Sequence, residues 1–100
     1  MTFDRTREEI LGDVPAGEFV DNRARRRFEI TLDGLTATLD YERTPKTLTL
    51  IHTEVPEALR GRGLGARLVE SAVKTGRAEG LLLVVVCPFA RAYLRAHPVP

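Results

Sequence analysis

Residues 52–70, HTEVPEALRGRGLGARLVE, gather Gly61, Gly63 and Gly65 with Arg60, Arg62 and Arg67 between what reads as a strand end and what reads as a helix start. The first N–H groups of a helix lack partners within the chain, and the helix dipole adds partial positive charge there. Glycines on the approach let an anion come within hydrogen-bonding distance of the backbone, so this turn is expected to bind phosphate. Two familiar phosphate motifs fit badly. Gly61 to Gly65 is not followed by the lysine and hydroxyl residue of a P-loop. Gly61, Gly63 and Ala66 imitate the dinucleotide fingerprint, but about five residues separate the strand end from Gly61, and Cys87 stands where a ribose-binding acid belongs.

Other residues carry reactive side chains. Cys87, the sole cysteine, ends an apolar run just before Pro88. If Pro88 opens a helix, Cys87 is its cap, a position where thiols become better nucleophiles. The other reading is an inert core residue. His52 and Glu54 flank Thr53 on one strand and so share a face, where either can accept a proton or serve structure alone. Tyr93 is a further hydroxyl in the same closing segment.

These residues need a scaffold. The stretch RFEITLDGLTATLDY alternates apolar and polar residues around Asp33-Gly34, the signal of a two-residue hairpin. Its register sets Leu32 opposite Leu35, Ile30 opposite Ala37 and Phe28 opposite Leu39, giving one apolar face. In TLTLIHTEV the alternation slips: Leu48 and Leu50 share one phase, while Ile51, Thr53 and Val55 share the other. Either a β-bulge near 50–52 re-aims the strand or the strand is buried on both faces. A helix follows from about Gly63, with Leu64, Leu68, Val69, Ala72 and Val73 on one side, Glu70 and Lys74 outside, and Gly80 stopping it. LLLVVV lacks alternation and reads as a strand covered on both faces. A second helix, PFARAYLRAH, closes the chain before Pro98. The strands of 45–87 flank a helix and should run parallel through a right-handed crossover. The fold class is α/β (α+β), a mixed, mostly antiparallel sheet in the order β-β-β-α-β-α.

At 100 residues the chain holds one domain, read as residues 20–100, behind an N-terminal extension, 1–19, in which RTREEILGD has room for one or two helical turns. Net charge is +1, which disfavours a nucleic-acid binder, although Arg23, Arg25, Arg26 and Arg27 cluster locally as a solvated rim. The cysteine content excludes an internal disulfide framework and a cysteine-based zinc site, and the longest apolar run, LLLVVVC, is too short to span a bilayer. No metal site, no membrane contact, a cytoplasmic setting and a monomer or weak dimer are expected.

The segment Arg60-Gly61-Arg62-Gly63-Leu64-Gly65-Ala66 resembles the [QR]-x-x-G-x-[GA] signature of the GNAT superfamily of acetyl-CoA-dependent N-acetyltransferases. DNRARRRFEI, DG, HTEVPEALRGRGLG and CPFARAYLRAHP are similar, in order, to a compact subfamily of roughly hundred-residue GNAT domains, over about residues 20–98. The resemblance implies a minimal GNAT fold in which a bulged strand splays from its parallel neighbour to admit pantetheine. It implies acetyl-CoA or coenzyme A as cofactor, held by Val55 and the residues from Arg60 through Gly61, Arg62, Gly63, Leu64 and Gly65 to Ala66. It implies transfer to an amine acceptor, with Cys87 matching the proposed catalytic cysteine and His52 and Glu54 as further candidates. Larger relatives use a tyrosine in N-x-x-A-x-x-L-Y to protonate the thiolate. Here Cys87 replaces the asparagine and Tyr93 comes one position early, a rotation of ~100° about the helix. The direct hairpin leaves no room for the two helices that wall the acceptor in larger relatives, implying an open site suited to a protein lysine or N-terminus. The competing expectation is a CoA-binding or protein-interaction module without turnover.

Overall fold

A computed structural model describes residues 17–98. The expected helical turns in RTREEILGD lie outside the described residues. Five strands form one sheet in chain order: β1 (Phe19–Asn22), β2 (Arg27–Leu32), β3 (Leu35–Arg43), β4 (Thr47–Glu54) and β5 (Leu82–Val85). The first four are antiparallel neighbours, and β5 lies parallel to β4. Helix α1 (Leu64–Ala78) makes the crossover and α2 (Pro88–Ala96) follows β5. The mixed α+β sheet with one parallel pair is as expected, with one strand, β1, more than the alternation predicted.

The β2–β3 hairpin forms because Asp33 and Gly34 both take positive φ, 55° and 75°, which matches the twist of the flanking strands. Leu32 pairs with Leu35, Ile30 with Ala37 and Phe28 with Leu39. Phe28, Ile30, Ala37 and Leu39 are fully buried beneath α1, whose Leu64, Leu68, Val69, Ala72 and Val73 face them. Gly80, at φ 72°, ends α1, and the Leu81 N–H closes back on the Gly76 carbonyl.

The slip in β4 is a bulge. Tyr41 pairs with Leu50 while Asp40 pairs with His52, so Ile51 is an extra residue opposite the Asp40–Tyr41 step. Before the bulge Leu48 and Leu50 point into the core, and after it Thr53 takes the inward phase while His52 and Glu54 are exposed.

The expectation that LLLVVV is covered on both faces is corrected. Leu83 and Val85 pack against the core, but Leu82, Val84 and Val86 are 66%, 39% and 52% exposed. Both helices bear on the same core cluster, and β5 is an edge strand whose other face no described element covers.

At the opposite end of the sheet, Arg43 ties three elements together. Its guanidinium donates to Glu79 just past α1 at 2.5 Å and to Asp21 on β1 at 3.1 Å, and it lies over the Tyr41 ring. The Tyr41 hydroxyl donates to Asp21 as well, and burial together with that bond raises its pKa. The hydrogen bond from Arg43 depresses the Glu79 carboxyl pKa. A depressed carboxyl contributes stability above its unfolded pKa, and that contribution is lost as pH falls through the folded value. Arg43→Met is therefore expected to be less stable than the parent at pH 7 by urea denaturation, since its hydrogen bonds to Glu79 and Asp21 are lost. The gap between variant and parent should narrow as pH is taken below about 4.

Candidate functional site

β4 and β5 stay paired only as far as Leu50 and Val85. The N–H groups of Val86 and Cys87 then both close on the Leu50 carbonyl, and Pro88 starts α2. β4 runs on for four residues, Ile51–Glu54, of which His52, Thr53 and Glu54 pair with β3 and none with β5. The edge of β4 that β5 abandons opens on a cavity of about 550 Å³, lined by His52, Thr53, Glu54, Val55, Leu59, Arg60, Gly61, Gly63, Leu64, Gly65, Ala66 and Phe89.

The far wall of the cavity is the start of α1. Pro56 leads into a short 3-10 turn, Glu57–Leu59, whose buried Leu59 fastens the loop to the core. Gly61 and Gly63 follow at φ 84° and 76°, a region that favours glycine, and a Cβ at either would meet nothing within 4 Å. The space above them is a cradle rather than packed interior. Gly63 caps α1 without a side-chain hydrogen bond, and the first helical bond is Arg67 N–H to Gly63 O. The N–H groups of Leu64, Gly65 and Ala66 therefore have no helical acceptor. Gly65 serves a different need: a Cβ there would lie 2.9 Å from the Phe89 ring, so its absence lets α2 lean against the first turn of α1.

The loop's arginines are held by the protein. Arg60 Nε donates to the Val55 carbonyl at 3.2 Å, bracing the turn at the cavity wall. Arg62 donates to Asp33 on the β2–β3 hairpin at 3.0 Å and does not line the cavity. Arg67 donates to the Gly17 carbonyl.

Of the reactive candidates, His52 Nε2 lies 3.0 Å from Glu54 Oε1, both side chains exposed at the cavity mouth. Cys87 caps α2 and is only 2% exposed, with its Sγ 3.3 Å from Thr53 Oγ1. The thiol thus sits behind Thr53, which itself faces the cavity. Tyr93 is turned elsewhere: its hydroxyl donates to Glu70, which raises the phenol pKa, and its ring lies in a stack between Phe89 and His97. Glu70 is accordingly committed to Tyr93. Thr53, Leu59 and Phe89 were not among the sequence candidates. The inward phase of Thr53 after the slip was the available signal for the first, and no spacing rule marks Phe89, which is placed by the tilt of α2 onto Gly65.

Among the described residues no group of histidine, cysteine, aspartate and glutamate is arranged to hold a metal, and no helix is long and apolar enough to cross a membrane.

Comparison with known proteins bears on this architecture directly. Residues 27–99 match the family model of the GCN5-related N-acetyl-transferase domain. Over 82 residues, 79% of this chain, it is 38% identical to Protein NATD1 of Xenopus tropicalis, covering 75% of that protein. It is 37% identical over 82 residues to Protein NATD1 of Homo sapiens, covering 73% of it. A gap between parallel strands that faces a glycine-lined helix start, together with this match, makes the chain a member of the GCN5-related N-acetyltransferase family.

Proposed function

We propose that this chain binds acetyl-CoA and transfers its acetyl group to an amine on another molecule, possession of a family fold being extended here to turnover. The observation that carries the reading is the β4 edge left open from Ile51 to Glu54, beside the open glycine turn at Gly61 and Gly63. Bound acetyl-CoA would supply an activated thioester. The chain's own part is positioning. Main-chain N–H groups of Gly61 to Ala66 would receive the pyrophosphate, with Arg60 adding positive field, while Arg62 is paired with Asp33 outside the cavity. The exposed backbone of β4 would pair with the amides of the pantetheine arm alongside Val55, and a β4 N–H would support the carbonyl oxygen as negative charge develops.

The attacking amine must be neutral, and His52 and Glu54, joined at 3.0 Å, form the pair best placed to accept its proton, directly or through water. Cys87 would act beside the sulfur of the cofactor, reaching it once Thr53 moves aside. The mouth is open on the face that bears His52 and Glu54, which suits an amine displayed by a macromolecule, a protein lysine or N-terminus.

A second reading keeps the cofactor and drops the chemistry. It is favoured by Cys87 being buried behind Thr53 and by Tyr93 being committed to Glu70, which among the described residues leaves no side-chain acid at the cavity wall beyond the His52–Glu54 pair.

Acetyl-CoA should raise the melting temperature of the purified protein. Gly63→Ala places a methyl group in the open cradle and adds about 1–2 kcal/mol of left-handed strain, so it should remain folded while losing that rise. Absence of any rise in the parent protein refutes the reading outright. Cys87→Ala should bind acetyl-CoA normally and lose about 10²-fold or more in transfer to a lysine peptide. Undiminished transfer would remove Cys87 from the chemistry, and no transfer by the parent to any amine would leave the second reading.

A further inference from the structure

β5 is the most apolar strand of the sheet and the least protected. Leu82, Val84 and Val86 form an exposed row on the face away from the helices. Leu82 N–H reaches Lys46 O, and Val86 N–H reaches Leu50 O, so the even-numbered residues direct their main-chain groups at β4. Backbone direction alternates along a strand, and the N–H and C=O groups of Leu83 and Val85 therefore point off the sheet. Among the described residues nothing pairs with them. Natural edge strands are guarded by short length, charge, proline or a bulge, and of these Leu82–Val85 has only its four-residue length.

The position of this edge matters. β5 runs parallel to β4, and Val86 brings the apolar row level with the start of the gap, on the same face as the exposed His52 and Glu54. A strand added to β5 would lie ~4.8 Å from it. From there a four-carbon lysine side chain at the Val86 end extends over Val86 toward the mouth of the cavity.

Two kinds of occupant fit an apolar edge, another copy of this chain or a segment of the acceptor. The four residues of this edge turn two, Leu83 and Val85, outward, far fewer than the roughly 20–30 residues a side of a stable association. The edge therefore suits a transient occupant, and Leu82–Val86 itself contains no amine to deliver. We infer that β5 is the acceptor-docking edge: an extended polypeptide segment with β-branched or apolar residues at alternate positions pairs with Leu83 and Val85 and carries a lysine past Val86 to the cavity. This rests on the acetyl-transfer reading for its purpose, but the docking itself does not require turnover.

The test uses the full chain and two blocked peptides, one of alternating valine and threonine ending in a single lysine, the other with proline at alternate positions. Saturation with the first peptide should slow amide hydrogen exchange at Leu83 and Val85 by about tenfold or more, with the second producing no change. With acetyl-CoA present, KM should be about tenfold lower for the first peptide at similar kcat. Val84→Lys puts a charge on the exposed row without touching the cavity wall. It should raise that KM by about tenfold and leave the melting shift with acetyl-CoA intact. Equal use of both peptides without added protection overturns the proposal while sparing acetyl transfer. So does a concentration-dependent dimer in which Leu83 and Val85 are protected before peptide is added. Protection by the first peptide without transfer supports the docking edge and removes the enzymatic reading alone.

Discussion

One extra residue governs this molecule. A strand in the middle of a sheet has no main-chain groups to spare, because both of its edges are paired. Ile51 breaks that rule locally: it adds a residue to β4 opposite the Asp40–Tyr41 step, turns Thr53 toward the inside, and comes where β5 ceases to follow. The β3 side of β4 stays paired through Thr38 and Glu54, so the strand is held rigidly on one edge while the other edge is released. Unpaired backbone in an apolar interior costs free energy comparable to a lost hydrogen bond. Here the released groups face a solvent-accessible gap instead, where water can satisfy them until a ligand with its own amides takes over. The bulge thus converts a structural sheet into one that is structural on one side and available on the other.

The same economy appears in the charges around the glycine turn. Arg60, Arg62 and Arg67 are each held by a protein acceptor, the Val55 carbonyl, a hairpin carboxylate and the Gly17 carbonyl respectively. What the turn leaves without a helical acceptor is its backbone N–H groups, at the end of a helix that no side chain caps and no acidic residue in the first turn competes for. Fixed dipoles need no reorganisation when an anion arrives, whereas a long arginine side chain loses rotamer freedom on being ordered. Prior tethering of the arginines lowers that cost, and the Arg62–Asp33 pair links the turn to the tip of the β2–β3 hairpin, so two loops distant in sequence share one position.

Much of this was legible in the chain. Asp33-Gly34 fixed the hairpin and its register because both positions demand left-handed backbone, and the slip between Leu50 and Ile51 offered the bulge as one of two readings, the other being a strand buried on both faces. Pro88 announced the second helix and placed Cys87 at its cap. Three features were hidden for definite reasons. β1 is short, and its turn into β2 runs through Arg23 to Arg26, where Arg26 takes a positive φ with no glycine to advertise it. The burial of Cys87 depends on Thr53 covering it, a contact between residues 34 apart in sequence. Arg62 leaves the cavity because Asp33 lies within reach, a pairing set by tertiary placement alone.

The misreading of LLLVVV is more informative than any of these three. Uniform apolarity means that both faces of a strand tolerate burial, but whether both are buried depends on how many elements the chain has left to cover them. Both helices among the described residues serve the same core, and no described element covers the face bearing Leu82, Val84 and Val86. Such an edge would ordinarily invite indiscriminate pairing, and its brevity is the restraint. Gly80 ends the preceding helix two residues before β5, and Pro88, which cannot extend a ladder, follows three residues after it. An edge confined to Leu82–Val85 has two outward residues for main-chain pairing, enough to orient a passing segment and too few to retain it. Short length is among the ways proteins keep edges safe, and in this fold it also sets the strength with which the edge can hold anything.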